Sequence, residues 1–240
     1  MDSPRYRRIL LKISGEALAG TSGKSLDFDF IHRVCAAIKH CAESGVQVAI
    51  VVGGGNFWRG AGAAGTNMER TRADRMGMLA TVMNCLALAE CLEQEGVEAR
   101  VQTAVEMTEI AELYLRDKAV AHLQKGRVVV LGCGTGSPYF TTDTGAVLRA
   151  IELNADACLM AKNVDGVYDS DPKRNPAAKR YEAITYDQIL KDHLSVVDFT
   201  ATSLAMDNKL PLVLFALEDP ENIYRVVMGS DIGTIVKEAV

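Results

Sequence analysis

Short apolar runs alternate with longer amphipathic segments over the first two thirds of the chain. The apolar runs are rich in β-branched residues, and we predict strands at 8–14, 46–52, 97–104, 127–131 and 157–161. The longer segments repeat apolar residues at helical spacing, and we predict helices at 28–43, 68–95, 109–124 and 144–153. Such alternation is typical of βαβ units, so we expect an α/β fold with a mainly parallel sheet.

The pattern changes after position 162. The stretch 163–186 is polar and contains Pro172 and Pro176, which predicts hairpins or an extended flap. Beyond it we predict helices at 185–192, 200–208 and 220–228, a strand at 212–217 and an edge strand at 235–237. The sequence shows no internal repeat, so one domain is the simplest organisation.

Composition narrows the classes of partner. Of the 240 residues, 48% are hydrophobic and 24% are charged, as in a typical globular domain, and the formal net charge is −5. This charge implies no cationic field, so neither nucleic acid nor an anionic membrane is an expected partner. The apolar run 9–11 is too short for a signal peptide, and we expect no stretch long enough to cross a bilayer.

The metal-ligating residue types give no metal signature. The six cysteines form no C-x-x-C pair, which favours reduced thiols in a cytosolic protein over a zinc or redox site. The four histidines also lack metal-ligand spacing, so we expect no protein metal site.

The end of the first predicted strand carries a lysine followed by Ser14 and Gly15. Lys12 would place a cation beside backbone N–H groups, and such amides bind phosphate. The same residues are compatible with an ordinary strand end and a solvated lysine, so this motif is weak alone.

Three glycines, 53–55, follow the second buried strand, and Arg59 comes shortly after them. Glycines let the backbone approach a ligand closely, and arginine offers a planar fork for phosphate. A flexible linker is the alternative. The glycines favour a site because they abut a buried strand at the edge where parallel sheets bind ligands.

A glycine-rich loop, 132–143, follows the fourth predicted strand and leads into a helix. Thr141, Thr142 and Asp143 fit the N-terminal cap of that helix, where hydroxyl and amide donors would face a phosphate. The alternative is a plain glycine turn, but the length of the loop favours a site. The acids of 163–172 could support Mg²⁺, although the residues alone favour turn formation.

Two familiar nucleotide-binding patterns are incomplete. Gly23, Lys24 and Ser25 end like a phosphate-binding P-loop, but Leu18 stands where that pattern needs glycine. The loop at 132 begins like a dinucleotide fingerprint, but Ser137 replaces its third glycine.

Taken together, the motifs resemble the bacterial UMP kinases, a branch of the amino-acid-kinase family. The matching segments occur in the family's order over essentially the whole chain: 10–18, 51–62, 74–84, 134–143, 164–172, 208–215 and 225–229. The resemblance implies a three-layer α/β/α sandwich with the amino-acid-kinase fold. It also implies transfer of the γ-phosphoryl group of ATP to UMP, giving UDP and ADP for pyrimidine nucleotide biosynthesis.

The resemblance further assigns roles by position. It implies catalytic roles for Lys12, Arg59 and Asp198. The implied ATP-binding residues are Lys12, Ile13, Ser14, Gly15, Gly55, Arg59, Asn163, Tyr168 and Asp171. The implied UMP-binding residues are Gly54, Asp74, Thr135, Gly136, Ser137, Pro138, Tyr139, Phe140, Thr141 and Thr142. A lobe for UMP and phosphates would span 1–162, and a lobe for ATP would span 163–240.

Cofactor, effectors and assembly also follow from the resemblance only. It implies Mg²⁺ bound with ATP, activation by GTP, inhibition by UTP, a homohexamer and a cytoplasmic location. The segment matching the effector region consists of Gly20, Thr21, Ser22, Gly23, Lys24 and Ser25. Two rival functions remain open: a kinase of a carboxylate or carbamate in the same family, and a non-catalytic nucleotide sensor.

Overall fold

The computed structural model describes residues 3–20, 24–58, 67–172, 174–194 and 196–239. The strands are β1 (Arg8–Ile13), β2 (Gln47–Val52), β3 (Ala99–Thr103), β4 (Glu112–Leu113), β5 (Val128–Gly132), β6 (Ala157–Lys162), β7 (Ala183–Thr185), β8 (Leu212–Ala216) and β9 (Thr234–Lys237). The helices are α1 (Gly15–Leu18), α2 (Phe28–Glu43), α3 (Arg70–Gln94), α4 (Arg116–Gln124), α5 (Thr142–Glu152), α6 (Tyr186–Lys191), α7 (Phe199–Asp207) and α8 (Asn222–Val227).

All nine of these strands form one sheet, in the order β4-β3-β5-β2-β1-β6-β8-β9-β7. Every neighbouring pair is parallel except β8 and β9, which are antiparallel. The mainly parallel α/β prediction is therefore confirmed. The central strands β1, β2 and β6 are buried along almost their whole length, as their continuous apolar sequences require.

Helices cover both faces of the sheet. Side chains of β1 alternate between the faces, with Ile9 and Leu11 in one core cluster and Leu10 in the other. The first cluster packs under α2, α3 and α8, and the second packs under α4, α5, α6 and α7. Two helical layers on one sheet give the three-layer sandwich.

The single helix predicted at 109–124 is wrong in its first part. Residues 112–113 form β4 at the edge of the sheet, and α4 begins only at Arg116. The backbone N–H of Tyr114 donates to the carbonyl of Thr103, and Gln102 donates to the carboxylate of Glu112. Pairing with β3 therefore outweighs the local helical pattern, because the edge of β3 would otherwise lack a neighbour.

The edge strand predicted at 235–237 is also wrong in its position. Strand β9 exists, but it lies between β8 and β7. The edge belongs to β7, three residues within the stretch predicted as hairpins or a flap. An antiparallel bridge between Tyr168 and Arg180 closes one hairpin in that stretch. Long-range pairing of this kind leaves no periodic signal in so short a strand.

Helix α3 lies within the helix predicted at 68–95 and is strongly apolar. It has 25 residues and a mean hydropathy of 1.3 over its most apolar window, so by length and composition it could cross a membrane. By length and composition, therefore, the expectation that no stretch could cross a bilayer is wrong. Its inner face, however, packs into the protein through residues such as Ala73, Cys85 and Leu88. A core helix with a second, outward apolar stripe meets the same test.

Candidate functional site

The loops that the sequence singled out all lie at one edge of the sheet. Strands β1, β2, β5 and β6 are parallel neighbours, so the loops that follow them emerge together. Two neighbouring cavities lie at this edge and share Lys12 and Ser14 in their linings. The glycine-loop cavity, about 340 Å³, is bordered by 53–55, α3 and the loop after β5. The C-terminal cavity, about 660 Å³, is bordered by 163–172, by 192–194 and by Val196.

Two lysines and one aspartate form the centre of the site. Lys12 Nζ lies 2.9 Å from Asp143 Oδ1, and Lys162 Nζ lies 2.6 Å from Asp143 Oδ2. We call these three residues the lysine cluster. Lys12 comes from the end of β1, Lys162 from the end of neighbouring β6, and Asp143 from the first turn of α5. Lys12 borders both cavities.

Burial and charge oppose each other within the lysine cluster. Burial alone would raise the pKa of Asp143, but the positive charges of Lys12 and Lys162 outweigh it and hold the pKa below its usual value. Burial lowers the pKa of Lys162, and Asp143 only partly restores it. The cluster therefore contains two cations and one anion, leaving excess positive charge for an anionic ligand.

The glycine loop, which we define as 53–56 after β2, packs closely against α3 on one side and against the start of α1 on the other. A Cβ at Gly54 would lie 2.8 Å from the Cβ of Ala80 on α3, and one at Gly15 would lie 2.4 Å from the carbonyl oxygen of Gly53. Both glycines thus permit close packing of backbone, in addition to any approach to a ligand. Gly55 also borders the glycine-loop cavity. Arg59 lies outside the described residues.

The loop after β5 is held in an unusual conformation. Cys133, Gly134, Gly136 and Tyr139 all have positive φ, between 55° and 82°. Tyr139 and Cys133 are strained there because they carry a Cβ. The N–H of Tyr139 donates to Asp74 Oδ2 at 2.8 Å, which fixes the loop to α3. Arg70 Nε donates to both oxygens of Asp74 and keeps the carboxylate in place.

Most of the predicted UMP-binding residues border the glycine-loop cavity. These are Gly54, Asp74, Thr135, Ser137, Phe140, Thr141 and Thr142. Gly136, Pro138 and Tyr139 lie in the same loop but not in the lining of the cavity. Phe140 is half exposed.

Asp198 connects the N-termini of two helices. Its carboxylate caps α7 by accepting from the N–H of Ala201 at 2.8 Å, and it also accepts from the hydroxyls of Thr141 and Thr144 at the start of α5. Thr141 in turn caps α5 by accepting from the N–H of Thr144. Two helix N-termini meeting near the lysine cluster add positive potential to the site.

The predicted ATP-binding residues divide between the two cavities. Lys12, Ser14, Asn163, Tyr168 and Asp171 border the C-terminal cavity. Gly15 and Gly55 border the glycine-loop cavity instead, and the side chain of Ile13 is buried in the core. Within the predicted effector segment, Gly20 packs against Asp27, and Lys24 and Ser25 are exposed. Thr21, Ser22 and Gly23 lie outside the described residues.

Sequence reasoning missed Lys162 and treated Asp143 only as a helix cap. A signal for Lys162 existed: it ends β6 as Lys12 ends β1, and the two strands are parallel neighbours. The neighbour relation, however, is known only from the sheet order. Asn84 was also missed, although it is a polar residue on the inner face of α3 with no exposed surface.

This geometry is that of a site for phosphate-bearing ligands at the end of a parallel sheet. Residues 7–227 match the Amino acid kinase family. Because this match spans most of the chain, the protein belongs to the amino acid kinase family.

Solved structures are similar over nearly the whole chain. UMP kinase from Bacillus anthracis is 39% identical, with a TM-score of 0.95 and coverage of 98% of this chain and 97% of that chain. UMP kinase from Ureaplasma parvum is 39% identical, with a TM-score of 0.92 and coverage of 98% and 100%. Uridylate kinase from Archaeoglobus fulgidus is 29% identical, with a TM-score of 0.74 and coverage of 95% and 99%.

Proposed function

We propose that the protein is a UMP kinase, a nucleoside monophosphate kinase that transfers the γ-phosphoryl group of ATP to UMP. The observation that carries this proposal is the lysine cluster placed between two cavities, with Lys12 bordering both. A phosphoryl transfer between two nucleotides needs this arrangement, because donor and acceptor must meet in line at one centre of positive charge. The similar UMP kinases support the choice of substrates.

In this proposal UMP occupies the glycine-loop cavity and ATP the C-terminal cavity. Lys12 and Lys162 stabilise the charge on the transferring phosphoryl group, and Asp143 holds both ammonium groups in place. Asp198 fixes the N-termini of α5 and α7 so that their N–H groups face the phosphates. The UMP phosphate is itself the nucleophile, so no side-chain nucleophile is required.

Mg²⁺ belongs to the proposal as a partner of ATP. Among the described residues, no three His, Cys, Asp or Glu side chains come together as a metal site, and both oxygens of Asp143 already face lysines. The donor set fits an ion that is held mainly by phosphates and water, as Mg²⁺ usually is in kinases, because both oxygens of Asp198 also already accept hydrogen bonds. When bound, the ion would neutralise phosphate charge.

A substrate panel tests the proposal. With ATP and Mg²⁺, UMP should be converted to UDP, while glutamate, aspartate and carbamate should not be phosphorylated. Turnover of a carboxylate or carbamate in place of UMP would favour the rival kinase. Binding of nucleotides without any turnover would favour the sensor. CMP and dUMP are informative controls, because equal use of CMP and UMP would contradict a site selective for uracil.

Assembly into a homohexamer is also part of the proposal. Met76, Leu79, Met83 and Leu86 are 40–58% exposed and form one stripe on the outer face of α3. Such a stripe is typical of a surface that another subunit covers. Light scattering should show an oligomer, and Leu79→Glu should shift it toward smaller species; a monomeric wild-type protein would contradict the idea.

GTP activation, UTP inhibition and a cytoplasmic location complete the proposal. The carbonyl of Ser25 accepts a hydrogen bond from Asn56, so the predicted effector segment contacts the glycine loop directly. This contact offers a route from the segment 20–25 to the site. Turnover measured with and without each nucleotide tests both effects.

A further inference from the structure

Three polar residues on the inner face of α3 each hold a different part of the site. Asp74 accepts from the N–H of Tyr139, Thr81 accepts from the N–H of Cys133, and Asn84 donates to the carbonyl of Gly53. The first two contacts fix the loop after β5. The third fixes the glycine loop after β2. Helix α3 therefore acts as a common frame for both loops.

Asn84 is the most buried of the three, with no exposed surface. Its Nδ2 donates to the carbonyl of Gly53 at 2.6 Å and to Asn56 Oδ1 at 2.8 Å, and its Oδ1 accepts from Asn56 Nδ2 at 2.9 Å. Both donors and the acceptor of the amide are thus satisfied, which leaves only one orientation for the side chain. The other N–H of Asn56 Nδ2 donates to the carbonyl of Ser25.

The pair formed by Asn84 and Asn56 lies behind the contact between two loops. A Cβ at Gly15 would lie 2.4 Å from the carbonyl oxygen of Gly53 and 2.6 Å from Asn56 Oδ1. The turn that follows Lys12 is therefore pressed against the two groups that Asn84 holds. A shift of Gly53 or Asn56 would move this turn, and with it the backbone amides beside Lys12.

Asn84 does not border the glycine-loop cavity or the C-terminal cavity, so it has no route to a direct contact with a nucleotide there. A hydrophobic residue would be expected at a fully buried helix position, because an amide is costly to bury unless its hydrogen bonds are made. The amide of Asn84 is explained by its hydrogen bonds to Gly53 and Asn56, which hold the glycine loop in place.

We propose that Asn84 is a positioning residue for phosphoryl transfer: through Gly53 and Asn56 it holds the glycine loop against the turn after Lys12. The inference rests on the proposed UMP kinase activity and adds a residue to it. Losing this contact loosens the alignment of the two nucleotides. A displacement on the order of 1 Å at a reacting centre can lower a rate a hundredfold, even from a site that no substrate touches.

The test compares Asn84→Ala with Leu88→Ala. Leu88 lies one turn further along the same face of α3, is fully buried and packs only in the apolar core cluster. Both variants should lower the melting temperature. Only Asn84→Ala should lower kcat, by about tenfold or more, with the affinity for UMP within about threefold of wild type. Leu88→Ala should keep kcat within about twofold.

Two readouts separate positioning from loss of stability. Trp58 is the only tryptophan and borders the glycine-loop cavity, so its fluorescence reports UMP binding without turnover. Hydrogen exchange of the amides at 53–56 should speed up in Asn84→Ala but not in Leu88→Ala. Asn56→Ala should reproduce the loss of kcat, and the double variant should add little to it, because both residues act through one contact.

The outcomes are distinct. Equal losses of kcat in Asn84→Ala and Leu88→Ala, or unchanged exchange at 53–56 in Asn84→Ala, would overturn the positioning role. If Asn84→Ala fails to fold, Asn56→Ala decides the question, because Asn56 is only partly buried and lies in a loop. A wild-type protein without UMP kinase turnover would overturn the proposed function, while the exchange experiment would still decide whether Asn84 holds the loop.

Discussion

The two cavities beside the lysine cluster are built in different ways. The glycine-loop cavity is enclosed by loops that are tied to α3 and α5, and its wall includes backbone in conformations that only a few residues adopt easily. The C-terminal cavity is enclosed largely by 163–172, a stretch without regular strand or helix that is held by the bridge between Tyr168 and Arg180 and by a hydrogen bond from the N–H of Val167 to the hydroxyl of Thr234. We therefore expect the first cavity to be rigid and the second to adapt more readily to its ligand.

The contrast explains where selectivity belongs in the proposed reaction. A rigid cavity with fixed donors can reject a ligand that lacks one group, because its own polar groups would remain unpaired. An adaptable loop surface discriminates less. We therefore expect strict recognition of the nucleotide in the glycine-loop cavity and looser recognition of the one in the C-terminal cavity.

The largest effect is expected for a change that disables both cavities at once. Asp143→Asn removes the only anion of the lysine cluster, so the two ammonium groups repel each other and leave their positions. We expect kcat to fall by about a hundredfold or more. Breaking a buried ion pair costs about 3–5 kcal/mol of unfolding free energy. Steady-state kinetics and urea unfolding measure the two losses.

The stability contribution of Asp143 has a defined pH range. Because its pKa is lowered in the folded protein, the contribution is complete above the pKa of an unfolded aspartate and is lost as the pH falls through the lowered value. In Asp143→Asn, the free energy of unfolding should therefore depend less on pH over this acid range, which we call the acid limb. Asp117→Asn is the control, because Asp117 pairs with Arg116 at the surface and should change neither activity nor the acid limb. An active Asp143→Asn variant would contradict the role of the cluster.

Most strands and helices could be predicted from the sequence because each one is indicated by a local pattern of apolar residues. Each buried strand appears as an apolar run, and α2 was predicted with its observed bounds, Phe28–Glu43. The strands β4 and β7 were not, because two or three residues carry no period and their pairing is decided by distant partners. The same distinction holds at the site. Lys12 lies near the end of a strand that its apolar sequence predicts, whereas the pairing of Lys162 with Asp143 depends on which strands become neighbours.

The second prediction concerns the pH dependence of kcat. Burial lowers the pKa of Lys162, so Lys162 loses its proton at a lower pH than an ordinary lysine does. Since the proposed reaction needs its charge, kcat should fall on the alkaline side as the pH rises through this lowered pKa. Lys162→Arg keeps a positive charge at every accessible pH and should move the alkaline decline upward, whatever its effect on the maximal rate. An unchanged alkaline limb in this variant would assign the decline to another group.

The third prediction tests the rigid cavity alone. Asp74→Asn places an amide beside Arg70 and weakens the hold on the N–H of Tyr139. Because the strained loop then relaxes, KM for UMP should rise by about tenfold, while KM for ATP changes by less than about twofold. Glu90→Gln, at an exposed position on the same helix, should leave both unchanged. Equal rises for the two substrates would break the proposed division between the cavities.

The smallest effect is expected in the adaptable cavity. Tyr168 borders it, and its hydroxyl donates to Asp165 at 2.8 Å on the surface of the protein. Tyr168→Phe removes one exposed hydrogen bond and keeps the ring, so KM for ATP should rise by no more than about threefold, with kcat and KM for UMP unchanged. Tyr168→Ala also removes the ring, and a base stacked on that ring would lose about 1–3 kcal/mol of binding. A larger loss in Tyr168→Phe than in Asp74→Asn would show that the C-terminal cavity, rather than the glycine-loop cavity, is the rigid one.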